Sequence, residues 1–280
     1  MPLNSIDGGA VNGRIARLVA IGVATGVAGG LLGVGGGFVM VPAMVYLMKT
    51  PQREANGTSL AVIVPVAIVG ATILGRGHQV DPEVGIILAI GAVGGAIAGA
   101  RLTRRVSDIG LRRAFGIVAV LAGGVMIIDS VIRALGGNVQ LASGFHPTGI
   151  SLWVMALLVG AVAGVLSGLL GIGGGAVMVP AMTLLMGLSQ HLAQGTSLLV
   201  IIPTAISGSI THFRMGNIQL ESAAWLSAGG VVGAVAGASL ALASPDAILR
   251  LLFGCYLAFT GARMLQAPRT KVTEPTMASR

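Results

Sequence analysis

The stretch GVGGGFVMVPAM, at residues 33–44, returns as GIGGGAVMVPAM at residues 171–182. Over the longer windows 26–44 and 164–182, 15 of 19 positions are identical at an offset of 138 residues. The offset then holds without a gap in the remainder of each copy. Further matches pair 56–60 with 194–198, Pro65 with Pro203, Arg76 with Arg214, and Phe115-Gly116 with Phe253-Gly254. The chain therefore contains one structural unit used twice.

The composition indicates that this chain is surrounded by lipid. Its 280 residues are 54% hydrophobic and only 9% charged, and the mean hydropathy is +0.92. A water-soluble domain cannot bury that fraction of apolar side chains. Long runs almost without charge, at 18–48, 57–75, 84–100, 114–128 and the matching positions of the second copy, approach or reach the length that crosses a hydrocarbon core of ~30 Å. The composition predicts an all-α polytopic membrane protein.

Charge and cysteine content narrow the classes of partner. The formal net charge is +8, but the basic residues lie at the ends of apolar runs and are not interleaved with aromatic side chains. This pattern is typical of anchoring at the membrane surface, so we expect no nucleic-acid partner. The single cysteine, Cys255, excludes an intrachain disulfide. The N-terminal segment carries an acidic residue where a signal peptide would be basic, and we expect the first apolar run to remain in the mature protein.

Three consecutive glycines in each copy predict that the first membrane segment is broken. They are Gly35, Gly36 and Gly37 in the first copy and Gly173, Gly174 and Gly175 in the second. Three glycines remove about 3 kcal/mol of helix propensity, and Pro42 removes a backbone donor shortly afterwards. The freed backbone groups cannot face lipid, so they either line an enclosed cavity or form a kink packed against a neighbouring helix. Because the break is duplicated, we predict a substrate site there, near the bilayer midplane.

Glycines also recur at every fourth residue of other spans. The sets are Gly22, Gly26, Gly30 and Gly91, Gly95, Gly99 in the first copy, and Gly160, Gly164, Gly168 and Gly229, Gly233, Gly237 in the second. Small residues at this spacing lie on one helical face and let helix backbones approach closely in lipid. We predict that these sets are packing faces.

A polar segment follows each break. It reads Asn56, Gly57, Thr58, Ser59 in the first copy and Gln194, Gly195, Thr196, Ser197 in the second. Asn, Thr and Ser are common N-cap residues, and a helix that starts with them presents free N–H groups and the positive end of its dipole. Such an end attracts anions. Ordinary capping is the alternative, but repetition in register with the second break favours one shared site for a small anion.

The aligned arginines Arg76 and Arg214 are further candidates for anion contact. An arginine at the end of a span more often anchors at the interface with its charged head in water, so both interpretations stay open. The histidines nearby, His78 and His212, do not align with each other. We assign no metal ligands and no cofactor.

The repeats divide the chain into five parts. These are an N-terminal tail at 1–13, repeat 1 at 14–133, a linker loop at 134–149, repeat 2 at 150–266 and a C-terminal tail at 267–280. Each repeat consists of a glycine-broken first membrane segment and three spanning helices. If the broken segment crosses the membrane once, the repeats are parallel, and eight basic residues lie on one side of the membrane and nine on the other. If it crosses twice, the repeats are inverted, and fourteen basic residues lie on one side and three on the other. The positive-inside rule favours inverted repeats.

The limb after the glycines leaves one alternative open. Residues 38–48 would extend only ~16 Å as a helix, so this limb either crosses or forms a re-entrant half-helix.

The duplicated GxGGGxxxxP segment, followed by a span that begins with GTS, resembles the TauE/SafE family of sulfite-exporter-like membrane permeases. The similarity covers roughly residues 14–265. The matching positions are Gly33, Gly35, Gly36, Gly37, Pro42, Gly57, Thr58 and Ser59, with Gly171, Gly173, Gly174, Gly175, Pro180, Gly195, Thr196 and Ser197. The resemblance implies transport of a small sulfur-containing or organic anion, such as sulfite or a sulfonate, across the bacterial inner membrane.

Three function classes are compatible with a duplicated, broken membrane segment. A secondary transporter is favoured, because neither a Walker A segment nor the HExxH, GxSxG or paired-carboxylate patterns of enzymes occur. An anion channel and a membrane-embedded enzyme are the alternatives.

Carboxylates deep inside spans, the usual proton relays of transporters, are not found in the sequence. The carboxylates lie near span ends or in loops, at Asp129, Glu54, Asp81, Glu83, Glu221 and Asp246. Coupling to H⁺, coupling to Na⁺ and uncoupled transport therefore all stay open. A monomer and a homodimer fit the sequence equally.

Overall fold

The computed structural model describes residues 7–102, 108–135, 149–171 and 173–266. These residues form ten α-helices and no strand. The first half contains α1 (Asp7–Leu32), α2 (Gly37–Leu47), α3 (Gln52–Arg76), α4 (Pro82–Leu102) and α5 (Asp108–Ala134). The second half contains α6 (Ile150–Leu170), α7 (Gly175–Leu184), α8 (Gln190–Arg214), α9 (Leu220–Ala243) and α10 (Asp246–Gln266). Apart from α1 and α6, each helix begins 138 residues before its counterpart, so the duplication extends to the helix boundaries.

Most of these helices are suited to a membrane. In the described ranges seven are long and apolar enough to cross one, namely α1, α3, α4, α6, α8, α9 and α10. Large apolar side chains are exposed on their outer faces, among them Ile86 and Ile90 of α4 and Val154 and Leu158 of α6. Lipid accommodates such a surface, whereas water would drive it to associate. The prediction of a multi-pass helical membrane protein is confirmed.

The two halves are held together by close helix pairs. Helix α1 packs along α9, and α6 packs along α4, so each pair takes one helix from each half. A Cβ atom on Gly26 of α1 would overlap the carbonyl oxygen of Gly230 of α9, and one on Gly164 of α6 would overlap the carbonyl oxygen of Ala92 of α4. These backbones touch because no side chain separates them. The predicted packing role of the four glycine sets is confirmed, since every member makes such a contact.

Counterpart helices run in opposite directions where they touch. Gly70 near the end of α3 lies against Leu198 near the start of α8, and Leu60 near the start of α3 lies against Gly208 of α8. Helices α5 and α10 are antiparallel in the same way, with Gly116 beside Gly261 and Gly123 beside Gly254.

These contacts define two faces of the molecule. We call face A the side on which α1, α3 and α9 begin, and face B the side on which α4, α6, α8 and α10 begin. The assignment of face A to the cytoplasm stays a prediction from the distribution of basic residues.

Helix α2 folds back along α1. Gly36, just before α2, lies against Thr25 in the middle of α1, while Met44 and Met48 at the end of α2 line a cavity with Arg14 near the start of α1. The broken segment is therefore a hairpin of one long helix and one half-length returning helix, which corresponds to the re-entrant alternative.

The predicted boundaries correspond only partly to described residues. Helix α1 begins at Asp7, inside the segment predicted as a tail at 1–13. The predicted linker at 134–149 and the tail at 267–280 lie almost wholly outside the described residues, as does the basic segment at 103–107.

Candidate functional site

The helix breaks occur where the glycines predicted them. Helix α1 ends at Leu32 and α2 begins at Gly37, and the N-cap residue Gly36 has a φ of 81°. In the second half the N-cap Gly174 has a φ of 78°. This left-handed region is costly for a residue with a side chain, so glycine is required at both positions.

The two breaks meet at the centre of the molecule. A Cβ atom on Gly175 would lie 2.7 Å from the carbonyl oxygen of Gly33 and 2.7 Å from the Cα of Val34. One on Gly35 would lie 2.9 Å from the side chain of Ile63 of α3 and 3.4 Å from that of Ile201 of α8. The backbones of the two breaks therefore pack against each other. Buried apolar side chains of the antiparallel helices α3 and α8 surround them.

Helices α2 and α7 start at this junction without side-chain caps. Neither Gly36 nor Gly174 supplies a capping side chain, and no side-chain cap bond is made at these ends within the described part of the chain. The first intrahelical bonds to their carbonyl oxygens come from Val39 and Val177, at 3.0 Å each. The N–H groups of Gly37, Gly175 and Ala176 come too early in their helices to have an acceptor within them. Two positive dipole ends therefore point into the centre of the fold.

The predicted capping role of the polar segments is wrong. Helix α3 begins at Gln52 and α8 at Gln190, so Asn56 and Gln194 are already the fifth residues of their helices. Ser189 caps α8 by accepting a hydrogen bond from the N–H of Leu192 at 3.2 Å. The backbone N–H groups of the polar segments therefore donate to carbonyl oxygens within their own helices. Only their side chains remain available for other contacts.

In the first half these side chains tie α3 to the second half. Asn56 Nδ2 donates to the carbonyl oxygen of Leu169 at 3.1 Å, and Ser59 Oγ donates to that of Gly171. Thr58 Oγ1 accepts from the N–H of Gln219, the N-cap of α9, at 3.0 Å. Gly57 has no side chain because the carbonyl oxygen of Asn217 occupies the space.

The second half repeats only part of this pattern. Gly195 is overlain by the carbonyl oxygen of Gln79, and Thr196 Oγ1 accepts from the N–H of Asp81 at 2.8 Å. Gln194 and Ser197, in contrast, find no hydrogen-bond partner among the residues that the structure describes, although both are 0% exposed.

These two unpaired side chains lie at the glycine breaks. A Cβ atom on Gly33 would meet Gln194, and one on Gly175 would lie 2.9 Å from Ser197 Oγ. An unpaired buried polar group costs about 1–3 kcal/mol. Two buried polar side chains without a partner in the described chain thus lie next to the two uncapped helix starts.

The remaining predicted site residues do not join this centre. Arg76 ends α3 on face B and Arg214 ends α8 on face A, and both side chains are exposed. Antiparallel helices of 25 residues place these two ends ~37 Å apart. The arrangement matches surface anchors and not one anion site.

A buried ion pair that the sequence did not predict joins α5 and α10. Arg250 Nη1 of α10 donates to Asp129 Oδ2 of α5 at 2.5 Å, and the two side chains are 8% and 5% exposed. Arg250 Nη2 lies 3.7 Å from Asp246 Oδ2, and Asp246 Oδ1 lies 2.9 Å from His191 Nδ1 at the start of α8. Asp129 lies near the end of α5, as predicted, but its side chain is buried. The available signal was a carboxylate and a guanidinium each set inside an apolar run.

Comparison with known proteins agrees with the duplicated architecture. Residues 5–126 and 156–280 match the model of a family described as "Sulfite exporter TauE/SafE". The chain is 29% identical over 267 residues to the "Probable membrane transporter protein YunE" of Bacillus subtilis, covering 87% of this chain and 97% of that protein. It is 26% identical over 222 residues to YdhB of the same organism, also named a probable membrane transporter protein, covering 79% and 88%.

A third relative comes from the archaeon Methanocaldococcus jannaschii. This probable membrane transporter protein is 26% identical over 204 residues, which cover 70% of this chain and 71% of the relative. No solved structure matches the chain significantly.

Proposed function

Because this chain belongs to the sulfite exporter TauE/SafE family, we propose that it is a secondary transporter that moves a small anion across the bacterial inner membrane. The class of substrate that we propose is a sulfur-containing or organic anion, such as sulfite or a sulfonate. Its relatives are named membrane transporter proteins, and the family description names sulfite.

One observation carries the location of the substrate site. Gln194 and Ser197 are fully buried and, within the described ranges, unpaired beside the junction of the two breaks. An amide and a hydroxyl supply two kinds of hydrogen-bond donor, and the uncapped starts of α2 and α7 supply backbone N–H groups. Donors to a charged partner contribute more than donors to a neutral one. The bound anion would therefore satisfy groups that otherwise carry a desolvation cost.

The glycines serve this site by keeping side chains out of it. Gly35, Gly36 and Gly37, with Gly173, Gly174 and Gly175, let backbone approach the ligand directly. In our proposal Asn56 and Ser59 also belong to the site, because they exchange roles with Gln194 and Ser197 during transport. The neighbouring residues Gly57, Thr58, Gly195 and Thr196 hold the two halves together. We do not propose Arg76 or Arg214 as substrate ligands.

The transport cycle that we propose exchanges the hydrogen bonds of the two halves. In the described state Asn56 and Ser59 bind the carbonyl oxygens of Leu169 and Gly171. The positions equivalent by the offset of 138 are Leu31 and Gly33, which Gln194 and Ser197 would bind in the opposite state. Two inverted halves that swap such contacts open a central site to one side at a time.

Two energy sources are compatible with this transport cycle. The anion either moves down its own electrochemical gradient or is coupled to H⁺ or Na⁺ bound at carbonyl oxygens freed by the breaks.

Flux measurements in proteoliposomes test this proposal. The purified protein is assayed with sulfite, sulfate, ethanesulfonate and acetate, with and without imposed pH or Na⁺ gradients. We expect saturable flux for at least one anion, and acceleration by a gradient would identify the coupling ion. Flux that rises linearly with concentration would indicate a channel instead. Flux no greater than in protein-free vesicles for every anion would refute the proposal.

A further inference from the structure

A basic cavity lies at face A, away from the junction of the breaks. Its volume is about 350 Å³, and it lies between the start of α1, the end of α2 and the start of α9. Three cationic side chains line it: Arg14, Arg17 and Lys49. Thr50, Gln219 and Ser222 add polar groups, and Leu18, Met44, Leu47 and Met48 add apolar surface. The volume falls within the range of small-molecule sites, and the lining combines cationic, polar and apolar side chains.

The cations of this cavity are absent from the second half. By the offset of 138, the counterparts of Arg14, Arg17 and Lys49 are Leu152, Met155 and Gly187. The scaffold of the repeat therefore does not require these charges, since the second half folds without them. These three charges therefore distinguish the face A end of the first half from its counterpart in the second half.

Lys49 is held in a conformation that favours glycine. Its φ is 55°, and its counterpart Gly187 has a φ of 72°. The turn after α2 and after α7 thus needs the left-handed region in both halves, and glycine adopts it at little cost. The first half carries a lysine there despite the strain. Strained residues of this kind cluster at functional sites, which makes the Lys49 side chain a candidate for a functional role.

We propose that this cavity binds the oxyanion group of a small organic anion at face A, before the anion enters the junction of the breaks. The inference rests on the proposed function, since it names the entry point of the same transport path. Helix α2 connects the two places: its first residue lies at the breaks and its last lies in the cavity wall, ~16 Å away for 11 residues.

The charges around the cavity favour an anion. The carboxylate of Glu54 lies next to the lining residue Gln219, whose Nε2 donates a hydrogen bond to its Oε2 at 2.7 Å. The lining itself contains three cationic side chains and no carboxylate, so the cavity is net positive. The same chemistry, an oxyanion on an apolar body, also occurs in the headgroup of an anionic lipid, and the experiment has to separate the two sources.

The decisive variant is Lys49→Gly, with Lys49→Arg as its matched control. Glycine removes the charge and relieves the strain, so the variant should unfold at the same temperature as the wild type or higher. Arginine retains both the charge and the strain. We expect Lys49→Gly and Arg17→Gln each to weaken ethanesulfonate binding about tenfold in detergent, and Lys49→Arg to retain it.

Sided flux and lipid retention complete the test. In proteoliposomes, Lys49→Gly should raise KM about tenfold for ethanesulfonate supplied at face A and leave KM at face B unchanged. In nanodiscs of phosphatidylcholine with phosphatidylglycerol, loss of bound phosphatidylglycerol in the same variant would identify a lipid headgroup as the source of the oxyanion.

Unchanged ethanesulfonate affinity together with unchanged lipid retention would overturn the inference. A wild type without carrier flux would instead defeat the proposed function, while the binding and lipid measurements would still decide about the cavity.

Discussion

The hydroxyl of Ser59 donates a hydrogen bond to the carbonyl oxygen of Gly171, and this bond joins α3 of the first half to the end of α6 in the second. The equivalent hydroxyl, Ser197, lies beside Gly175 and makes no such bond within the described chain. Two serines that are identical in motif therefore differ in their bonding. The first half thus makes a serine–carbonyl hydrogen bond that its counterpart in the second half does not make.

This asymmetry predicts opposite effects of two equivalent substitutions. Ser59→Ala leaves the carbonyl oxygen of Gly171 without its donor, so it should destabilise the protein by about 1–3 kcal/mol. Ser197→Ala removes a hydroxyl that is buried and unpaired, so stability should not fall, but anion affinity should fall about tenfold because a donor is lost. Thermal unfolding in detergent and anion titration measure the two quantities. Equal loss of stability in both variants would contradict the asymmetry.

Gly36→Ala should abolish transport. A Cβ at this position would overlap the carbonyl oxygen of Thr25, and a φ of 81° adds strain of about 1–2 kcal/mol. The start of α2 would have to shift away from the junction. Proteoliposome flux is the measurement.

Gly94→Ala is the matched control for this substitution. Gly94 lies within α4, and no described atom other than its own helix backbone comes within 4 Å of an added Cβ. This variant should transport normally and be as stable as the wild type or slightly more so. Normal flux in Gly36→Ala would show that the break tolerates a side chain.

Substitution of either member of the Asp129–Arg250 ion pair should lower the free energy of unfolding. Asp129→Asn or Arg250→Gln removes one member of this buried pair, and a loss of up to about 3–5 kcal/mol is expected. Replacing both by apolar residues, as Asp129→Leu with Arg250→Met, should recover most of that loss because neither charge of the pair remains buried. A thermodynamic cycle from unfolding of the four proteins measures the coupling. Additive effects of the two single changes would argue against a direct interaction.

Both termini should lie in the cytoplasm. Helix α1 begins and α10 ends on face A, and most basic residues of the described ranges lie toward that side. Reporters fused before Arg14 and after Gln266 should both report cytoplasm, and a tag inserted in 136–146, between α5 and α6, should report the periplasm. A C-terminal reporter on the periplasmic side would exclude this orientation.

Much of the fold could be predicted from local features of the sequence. Glycine at 36 and 174 weakens a helix wherever it occurs, and glycines at every fourth residue lie on one face of any helix. Apolar runs of sufficient length are stable only in lipid. These properties belong to single segments, so the breaks, the packing faces and the membrane spans needed no knowledge of neighbours.

The error over Asn56 and Ser59 has a physical origin. Side chains that cap helices also bond across a helix interface, and residue type alone does not distinguish the two uses. The upstream Pro51 and Ser189 begin the helices instead, which freed the polar segments for contacts with the other half.

The sequence by itself determined that this protein is duplicated, broken at two glycine triplets and surrounded by lipid, because composition and periodicity act within each segment. Only the tertiary structure decided that α2 folds back along α1, that Asp129 meets Arg250 across 121 residues, and that Ser59 is paired while Ser197 is not. The physical reason is that hydrogen bonds and ion pairs require two groups to meet in space. The two GTS segments are identical and encode the same hydroxyl donors, but the carbonyl oxygens within their reach depend on how the halves pack.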